Sequence, residues 1–184
     1  MYNFSSQNRS LDIRIARRAQ RLTQRITWLS DWLGTSESPI VDAVYLRHLP
    51  EGTFGRTWID ALDMAELAPM SDGSRRQQLH DGVHTLTGYG TDLLGEAQVQ
   101  AFLMGAKFRL FHGVLLGQML LAVALFKPGA GRGSQREGLT VKLMLHHLKQ
   151  AYQRGRGSQF DPDCWQPENL WHLALIDVRA MFKI

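Results

Sequence analysis

The sequence predicts an all-α fold, and three observations lead to that prediction. Apolar residues recur at intervals of three and four along most of the chain, which is typical of helices with one buried face. No stretch alternates apolar and polar residues over the length of a strand. Glycine, proline and serine cluster between the periodic segments, where they indicate loops. We therefore expect a single domain over 1–184, with six to eight helices around an apolar cavity.

The first predicted helix, over 1–34, is basic and amphipathic. Six arginines face only two aspartates in this stretch. Its composition resembles a mitochondrial transit peptide, but a leucine and isoleucine stripe at helical spacing favours a helix of the mature protein. Trp28 and Trp32 lie one turn apart, and indoles suit a membrane interface. We expect this helix to attach the protein to the surface of an anionic membrane.

The later elements are separated by recognisable breaks. Gly34 and Pro39 end the first helix, and Gly88 is predicted to end the fourth. The stretches "KPGAGRGSQREG" and "GRGSQFDPDCWQPEN" are predicted to be loops. The remaining predicted helices are 40–47, 53–64, 75–87, 96–126, 139–154 and 170–181, and a kink within 96–126 is left open.

Composition limits the classes of function. The net charge of +4 and the pI of about 9.5 allow anionic partners, but no nucleic-acid-binding motif is present, so nucleic acid is not expected. The single cysteine, Cys164, excludes an internal disulfide and a cysteine-rich metal site. The longest apolar run, Val114 to Phe126, is shorter than the roughly 20 residues that a membrane-spanning helix needs.

The stretch "HDGVHTLTGYGTDLLGE", residues 80–96, gathers four side chains that can bind metal. On a helix, His80 and His84 lie about 40° apart, and Asp81 lies about 60° from His84. Glycines then let the chain turn back, so that Glu96 can point at the same place. Two imidazoles and two carboxylates suit zinc, iron or manganese better than calcium. The same spacing is also compatible with an ordinary helix, in which Glu96 favours the helix N-terminus.

This stretch resembles the signature of the coenzyme Q (ubiquinone) biosynthesis family, the fourth of the Coq series. That signature has His-Asp, two spacers, His, eleven spacers and Glu. Upstream, "LPEGTFGRTWIDAL" is similar to the family's Gly-Thr-x-Gly-Arg segment. Downstream, "AYQRGRGSQ" and "LIDVRAMFKI" are similar to its C-terminal pattern. The resemblance covers roughly 41–184, and the chain looks like a bacterial rather than a mitochondrial member.

The resemblance implies a divalent metal, usually zinc, with iron, manganese or magnesium as alternatives, held by His80, Asp81, His84 and Glu96. It implies removal of the C1 carboxyl, plain or oxidative, from a polyprenylated 4-hydroxybenzoate intermediate. The expected partners are that prenylated aromatic lipid, a membrane surface and other quinone-biosynthesis proteins, and a homodimer is left open. The expected location is cytoplasmic and peripheral to the inner membrane, or the matrix side of the mitochondrial inner membrane in a eukaryote.

The long helix over 96–126 is apolar on most faces, so it is predicted to line a lipid cavity or to be an ordinary core helix. Gly105 also leaves room for the close approach of another helix or a lipid tail. Arg56 is a candidate anion-binding residue, or else it pairs with Asp60 one turn on. The candidate lipid-contacting residues are Met104, Phe111, Gly113, Gly117 and Met119.

Two other classes of protein stay open. One is a non-catalytic scaffold that binds prenyl lipids for the quinone-biosynthesis enzymes. The other is a His-Asp phosphohydrolase, for which His48 is the one upstream histidine and no second aspartate stands out. Five histidines and the cysteine are expected to be structural or exposed rather than catalytic. They are His48, His112, His146, His147, His172 and Cys164.

Overall fold

The computed structural model describes residues 37–110, 112–113, 116–117 and 141–184. Within these residues there are seven α-helices and no strand, which confirms the all-α prediction. A 3-10 helix over Pro167–Asn169 and helical residues at 110, 112–113 and 116–117 complete the described secondary structure. The α-helices, numbered α1 to α7 along the chain, are Ala43–Arg47, Phe54–Met64, Arg75–Gln78, His80–Thr87, Leu93–Ala106, Val141–Gly157 and Leu175–Phe182.

Two predicted elements lie outside the described residues. They are the basic amphipathic helix over 1–34, which carries Trp28 and Trp32, and the loop "KPGAGRGSQREG". Membrane attachment through the first helix therefore stays a prediction.

The chain divides into two compact units. Of the described residues, the first unit comprises 37–92 and Gln166–Val178, and the second comprises 93–110, 112–113, 116–117, 141–165 and Arg179–Ile184. Helix α7 runs across the division. The prediction of one domain over 1–184 stays a prediction.

Helix α2 carries the main apolar face of the first unit. Its buried residues recur every three to four positions, as on one side of an amphipathic helix. It packs against α1 and α4. Helix α1 begins because the Asp42 side chain accepts hydrogen bonds from the amides of Val44 and Tyr45, at 2.9 and 3.0 Å. The buried apolar residues of this unit include Leu46, Phe54, Trp58, Ile59, Leu62, Leu79, Val83, Leu86, Trp171 and Val178.

The start of α2 is completed by the C-terminal segment of the same unit. Thr53 is the N-cap, and the next amide, that of Phe54, donates to the carbonyl of Leu173 at 2.8 Å. The Gly55 amide donates to the carbonyl of Trp171 at 2.9 Å. These bonds satisfy two donors that have no partner within the helix. An added Cβ at Gly55 would lie 2.8 Å from the Trp171 Cβ, so the C-terminal segment approaches α2 at a point where a larger side chain has no room.

The second unit is built on the crossing of α5 and α6. An added Cβ at Gly155 would overlap the backbone oxygen of Phe102, and one at Gly105 would overlap that of Tyr152. The two helix backbones are therefore in direct contact, which confirms Gly105 as a point of close helix approach. Beside this crossing, the Phe160 ring packs against Phe102, at a centroid distance of 5.8 Å.

The helix predicted over 96–126, with a kink left open, is interrupted rather than continuous. Helix α5 ends at Ala106, and residues 107–109 are not helical. The reason is tertiary. Lys107 binds both carboxylate oxygens of Asp161, at 2.9 and 2.8 Å, and Arg109 pairs with Asp163. Because these partners lie 54 residues further along the chain, a local pattern does not reveal them.

The predicted helix over 75–87 forms two helices, α3 and α4, separated at Leu79. The Leu79 backbone stays in the right-handed region, at φ −90° and ψ 0°, so the change is small. The buried Gln78 side chain directly before it holds residues 37–40. It donates to the Glu37 carbonyl and accepts from the Ile40 amide, each at 2.9 Å. The predicted end of the helix at Gly88 is confirmed.

Candidate metal centre

Helix α4 carries His80, Asp81 and His84, and its position follows from the segment before it. At the start of α3, the Ser74 amide donates to the Gln77 side-chain oxygen at 2.8 Å, which is half of a capping box. Apolar residues Val83 and Leu86 bury the opposite side of α4. Buried apolar side chains therefore hold in place the helix that carries the two histidines.

The two imidazoles approach each other through their Nε2 atoms. The Nε2 atoms of His80 and His84 lie 3.2 Å apart, and the ring planes are 80° apart. His84 is buried at 6% exposure, whereas His80 is half-buried. The structure therefore confirms that the i, i+4 spacing places both rings together.

The other nitrogen of His84 faces the backbone. Its Nδ1 lies 3.2 Å from the carbonyl oxygen of Tyr89. A carbonyl only accepts, so this contact is a hydrogen bond in the form of the ring that carries its hydrogen on Nδ1. In the neutral ring, Nε2 then holds a lone pair directed at His80. Metal-binding histidines have this arrangement, in which one nitrogen donates to a carbonyl and the other binds the ion.

The separation of the two Nε2 atoms fits a zinc ion. Zinc–nitrogen bonds of about 2.0–2.1 Å in a tetrahedron place two nitrogen ligands about 3.3 Å apart. The 3.2 Å separation of His80 and His84 is close to that value. The donor set, two imidazoles on one helix, suits zinc and other transition metals.

The carboxylates predicted to complete the site belong to two helices. Asp81 is half-buried in the first turn of α4, and its backbone carbonyl accepts from the Thr85 hydroxyl at 3.4 Å. Glu96 is half-buried in the first turn of α5, in the second unit. Their role as ligands stays a prediction.

Arg56 pairs with Asp60, which is the second of the two roles that its spacing allowed. Its Nε donates to both oxygens of Asp60, at 2.8 and 3.0 Å. Its Nη1 donates to the carbonyls of Arg47 and Leu49, at 3.1 and 3.4 Å. The hydrogen bond to Asp60 raises the pKa of Arg56. Arg56 thus ties α2 to the chain after α1, and anion binding by it stays a prediction.

The candidate lipid-contacting residues do not form one described surface. Met104 is half-buried in α5. Phe111 and Met119 lie outside the described residues. At Gly113 and Gly117 an added Cβ would meet no described atom within 4 Å. Because α5 ends at Ala106 and residues 107–109 are not helical, Met104 and Gly113 do not lie on one continuous helix.

Four of the histidines expected to be structural or exposed make hydrogen bonds or ring contacts with nearby residues. His112 is buried, and its Nδ1 lies 2.6 Å from the Gln100 side-chain oxygen. His48 Nδ1 lies 2.7 Å from the Val44 carbonyl, at the end of α1. His146 and His147 are adjacent on α6, with ring centroids 6.0 Å apart. Cys164 is exposed.

Sequence reasoning missed the backbone partner of His84. The Tyr89 carbonyl reaches that ring because Gly88 has a positive φ of 77°. The signal was present in the "TGYG" stretch, since glycine directly after a helix commonly takes that conformation. The sequence did not indicate which backbone carbonyl would contact the His84 ring.

None of the helices in the described residues is both long and apolar enough to cross a bilayer.

The fold and the site so far define a class: an all-helical protein with a two-histidine candidate metal centre on a short helix. No protein-family model matches the chain.

Curated relatives point to a particular family. The chain is 33% identical to the mitochondrial ubiquinone biosynthesis protein COQ4 homolog of Bos taurus, over 34% of this chain and 29% of that protein. It is 34% identical to the Xenopus tropicalis protein of the same name, over 34% of this chain and 27% of that protein. The resemblance to the coenzyme Q biosynthesis family is confirmed over about a third of the chain. The matched part spans less than a third of the length of each relative.

A solved structure shows the same fold. The protein, from Nostoc punctiforme, carries a provisional assignment to ubiquinone biosynthesis. It superposes with a TM-score of 0.61 at 18% identity, over 91% of this chain and 80% of its own. At this identity the likeness supports the helical architecture alone.

Proposed function

We propose that this chain acts in the biosynthesis of ubiquinone or a related prenylquinone, and that α4 binds a divalent metal, zinc foremost. One observation carries the metal proposal: the Nε2 atoms of His80 and His84 are 3.2 Å apart, and His84 is oriented by a carbonyl on its other nitrogen. The curated relatives, which are named for ubiquinone biosynthesis, support the pathway.

The remaining ligands in this proposal are carboxylates. Glu96 lies twelve residues after His84, in the first turn of the next helix, and Asp81 directly follows His80. The family signature has histidine, aspartate and glutamate at these same positions. Zinc sites that act on a substrate keep a coordination position open for it. Two imidazoles and one of these two carboxylates would leave that position, whereas all four ligands together would fill a tetrahedral zinc site.

The proposed reaction is the removal of the C1 carboxyl from a polyprenylated 4-hydroxybenzoate intermediate. The bond between C1 and the carboxyl carbon breaks, the electron pair stays on C1, carbon dioxide leaves and C1 takes up a proton. A bound metal supplies Lewis-acid stabilisation of negative charge on substrate oxygen. Zinc does not change its oxidation state. An oxidative form of the reaction therefore needs iron or manganese, or a substrate that itself reacts with oxygen.

The lipid side of the proposal comes from the sequence. A polyprenyl tail needs an apolar surface, for which Met104, Phe111, Gly113, Gly117 and Met119 are the candidates. The basic helix over 1–34 would hold the protein on an anionic membrane, close to its substrate and to other enzymes of the pathway.

The metal proposal is tested with purified protein and its histidine variants. We expect wild type to bind about one zinc ion per chain, since one set of ligands is proposed. His84→Ala and the double variant His80→Ala, His84→Ala should lose most of that zinc. The matched control is the double variant His146→Ala, His147→Ala, because those histidines are adjacent rather than one turn apart. Unchanged zinc content in the first double variant would show that the metal site is elsewhere or absent.

Catalysis and lipid carriage are separated by a second measurement. Zinc-loaded protein is incubated in detergent with a short-chain prenylated 4-hydroxybenzoate, and the lipid is analysed by mass spectrometry. Loss of 44 mass units, roughly one carbon dioxide, supports the enzyme. Retention of unchanged lipid by a zinc-loaded protein favours the non-catalytic scaffold.

A further inference from the structure

We propose that the turn at Gly88 and Tyr89 is a positioning device for His84, which fixes the hydrogen of that ring on Nδ1 and keeps the Nε2 lone pair directed at the metal position. The part that concerns metal rests on the proposed function. The part that concerns the ring is a property of the metal-free protein and is tested separately.

The first step is the identity of the two atoms in contact. His84 Nδ1 lies 3.2 Å from the Tyr89 carbonyl oxygen. An unprotonated Nδ1 would set two lone pairs against each other, so this contact selects the form with hydrogen on Nδ1. A neutral imidazole carries one such hydrogen, which leaves Nε2 unprotonated. That is the state in which an imidazole binds a metal.

The second step is the reason that the carbonyl reaches the ring. Gly88 ends α4 in the left-handed region, at φ 77° and ψ 12°, and its amide donates to the His84 carbonyl at 2.8 Å. The chain therefore folds back over the last turn of the helix. The following amide, that of Tyr89, donates to the Thr87 hydroxyl oxygen at 3.4 Å. That hydroxyl in turn donates to the Val83 carbonyl at 2.7 Å.

The third step is burial. His84 is 6% exposed and Thr87 is 4% exposed. A buried polar ring depends on the partners that the fold provides, because bulk water cannot replace them freely. The Tyr89 carbonyl therefore controls the hydrogen position on His84 more strongly than it would at the surface.

The fourth step is an asymmetry within the histidine pair. His84 offers a lone pair that is fixed by the turn, whereas the half-buried His80 presents its Nε2 at 3.2 Å from it. In the metal-free protein, that distance fits a hydrogen bond from His80 Nε2 to His84 Nε2. Of the two histidines, His84 is therefore the one whose ring is oriented by the turn.

The test uses nitrogen-15 NMR of the metal-free full chain. Long-range proton–nitrogen correlations tell the two neutral forms of a histidine apart. We expect wild-type His84 to carry its hydrogen on Nδ1. A wild-type spectrum with the hydrogen on Nε2 would overturn the proposal without any variant.

Three variants separate the turn from general damage. Gly88→Ala places a Cβ at a positive φ that L residues rarely adopt, so His84 should lose its single form. Gly88→Asn should keep it, since asparagine tolerates this conformation at a helix end. Gly90→Ala is the matched control two residues away. It has no positive φ, and an added Cβ meets only Asp92, at 3.7 Å.

Zinc affinity, measured by competition with a chromophoric chelator, is the second readout. Gly88→Ala should bind zinc about 10–100-fold more weakly than wild type, the usual cost of losing an orienting partner of a ligand. Gly88→Asn and Gly90→Ala should stay near wild type. Equal affinity in all four proteins, with unchanged His84 spectra, would overturn the inference. If wild type binds no zinc, the proposed function fails, and the spectra still decide whether the turn sets His84.

Discussion

Two regions of this protein use glycine for opposite reasons. After α4, Gly88 supplies a positive φ of 77°, which directs a carbonyl at His84. At the crossing of α5 and α6, Gly105 and Gly155 supply the absence of a side chain, so that two helix backbones touch. The first use depends on one backbone torsion angle, and it positions a candidate metal ligand. The second concerns space and serves the packing of a whole unit.

The difference predicts that the same substitution, glycine to alanine, has effects of different kinds. In the turn, the change should alter the orientation of a histidine more than the stability of the chain. At the crossing, it should alter stability and leave the site helix alone. The first of three further experiments tests that contrast, and the other two measure side-chain contacts in each unit, from the largest expected effect to the smallest.

The largest effect is expected for Gly155→Ala. The added Cβ would overlap the Phe102 backbone oxygen, and a backbone atom cannot move aside as a flexible side chain can. Overpacking of this kind costs about 2–3 kcal/mol in the free energy of unfolding, to be measured by urea denaturation. The control is Gly157→Ala on the same helix, where an added Cβ meets nothing within 4 Å. If both variants unfold at the same urea concentration, the two backbones are not in contact at this crossing.

A smaller effect is expected for Gln78→Ala in the first unit. The Gln78 side chain is fully buried, accepts from the Ile40 amide and donates to carbonyls that include those of Glu37 and Gly73. Its removal should leave buried polar groups without a partner, at a cost of about 1–3 kcal/mol.

Hydrogen exchange locates that loss. Exchange of the Ile40 amide should quicken more in Gln78→Ala than exchange of amides within α2. Gln150→Ala is the control, since Gln150 is exposed on α6. Unchanged protection of Ile40 would mean that the side chain does not hold residues 37–40 in solution.

The smallest effect is expected for Asp161→Asn, which weakens the bond that ends α5 at Lys107. The hydrogen bond from Lys107 lowers the pKa of Asp161 below its usual value of about 3.8. The stabilisation is therefore present above that pH and is lost as the pH falls through the lower, folded-state pKa. Because the pair is only half-buried and open to water, the loss at pH 7 should be at most about 1 kcal/mol.

The measurement compares the unfolding free energies of wild type and Asp161→Asn at several pH values. The difference between them should shrink as the pH falls below about 4, where the free carboxyl takes up its proton. It should also shrink in about 1 M salt, which screens exposed pairs. A difference that is independent of both pH and salt would assign the effect to the shape of the loop rather than to charge.

Local chemistry along the chain determined several features by itself. Asp42 and Thr53 begin α1 and α2, and Gly88 ends α4, because each satisfies the backbone groups or the backbone angle of its own helix end. His80 and His84 share one face of α4, since their spacing is close to one helical turn. The two caps, the glycine turn and the shared face of the histidines each depend on residues close by in the sequence.

The tertiary structure alone decided the features that depend on distant partners. Helix α5 stops at Ala106 because Lys107 and Arg109 pair with aspartates 54 residues away, although the apolar pattern continues past that point. Gly155 became a packing position only because α5 lies against it, and the amides of Phe54 and Gly55 found carbonyls near the other end of the chain. Periodicity reports which face of a helix is apolar. It carries no record of which atoms will meet that face, since those distances are set when separate segments pack together.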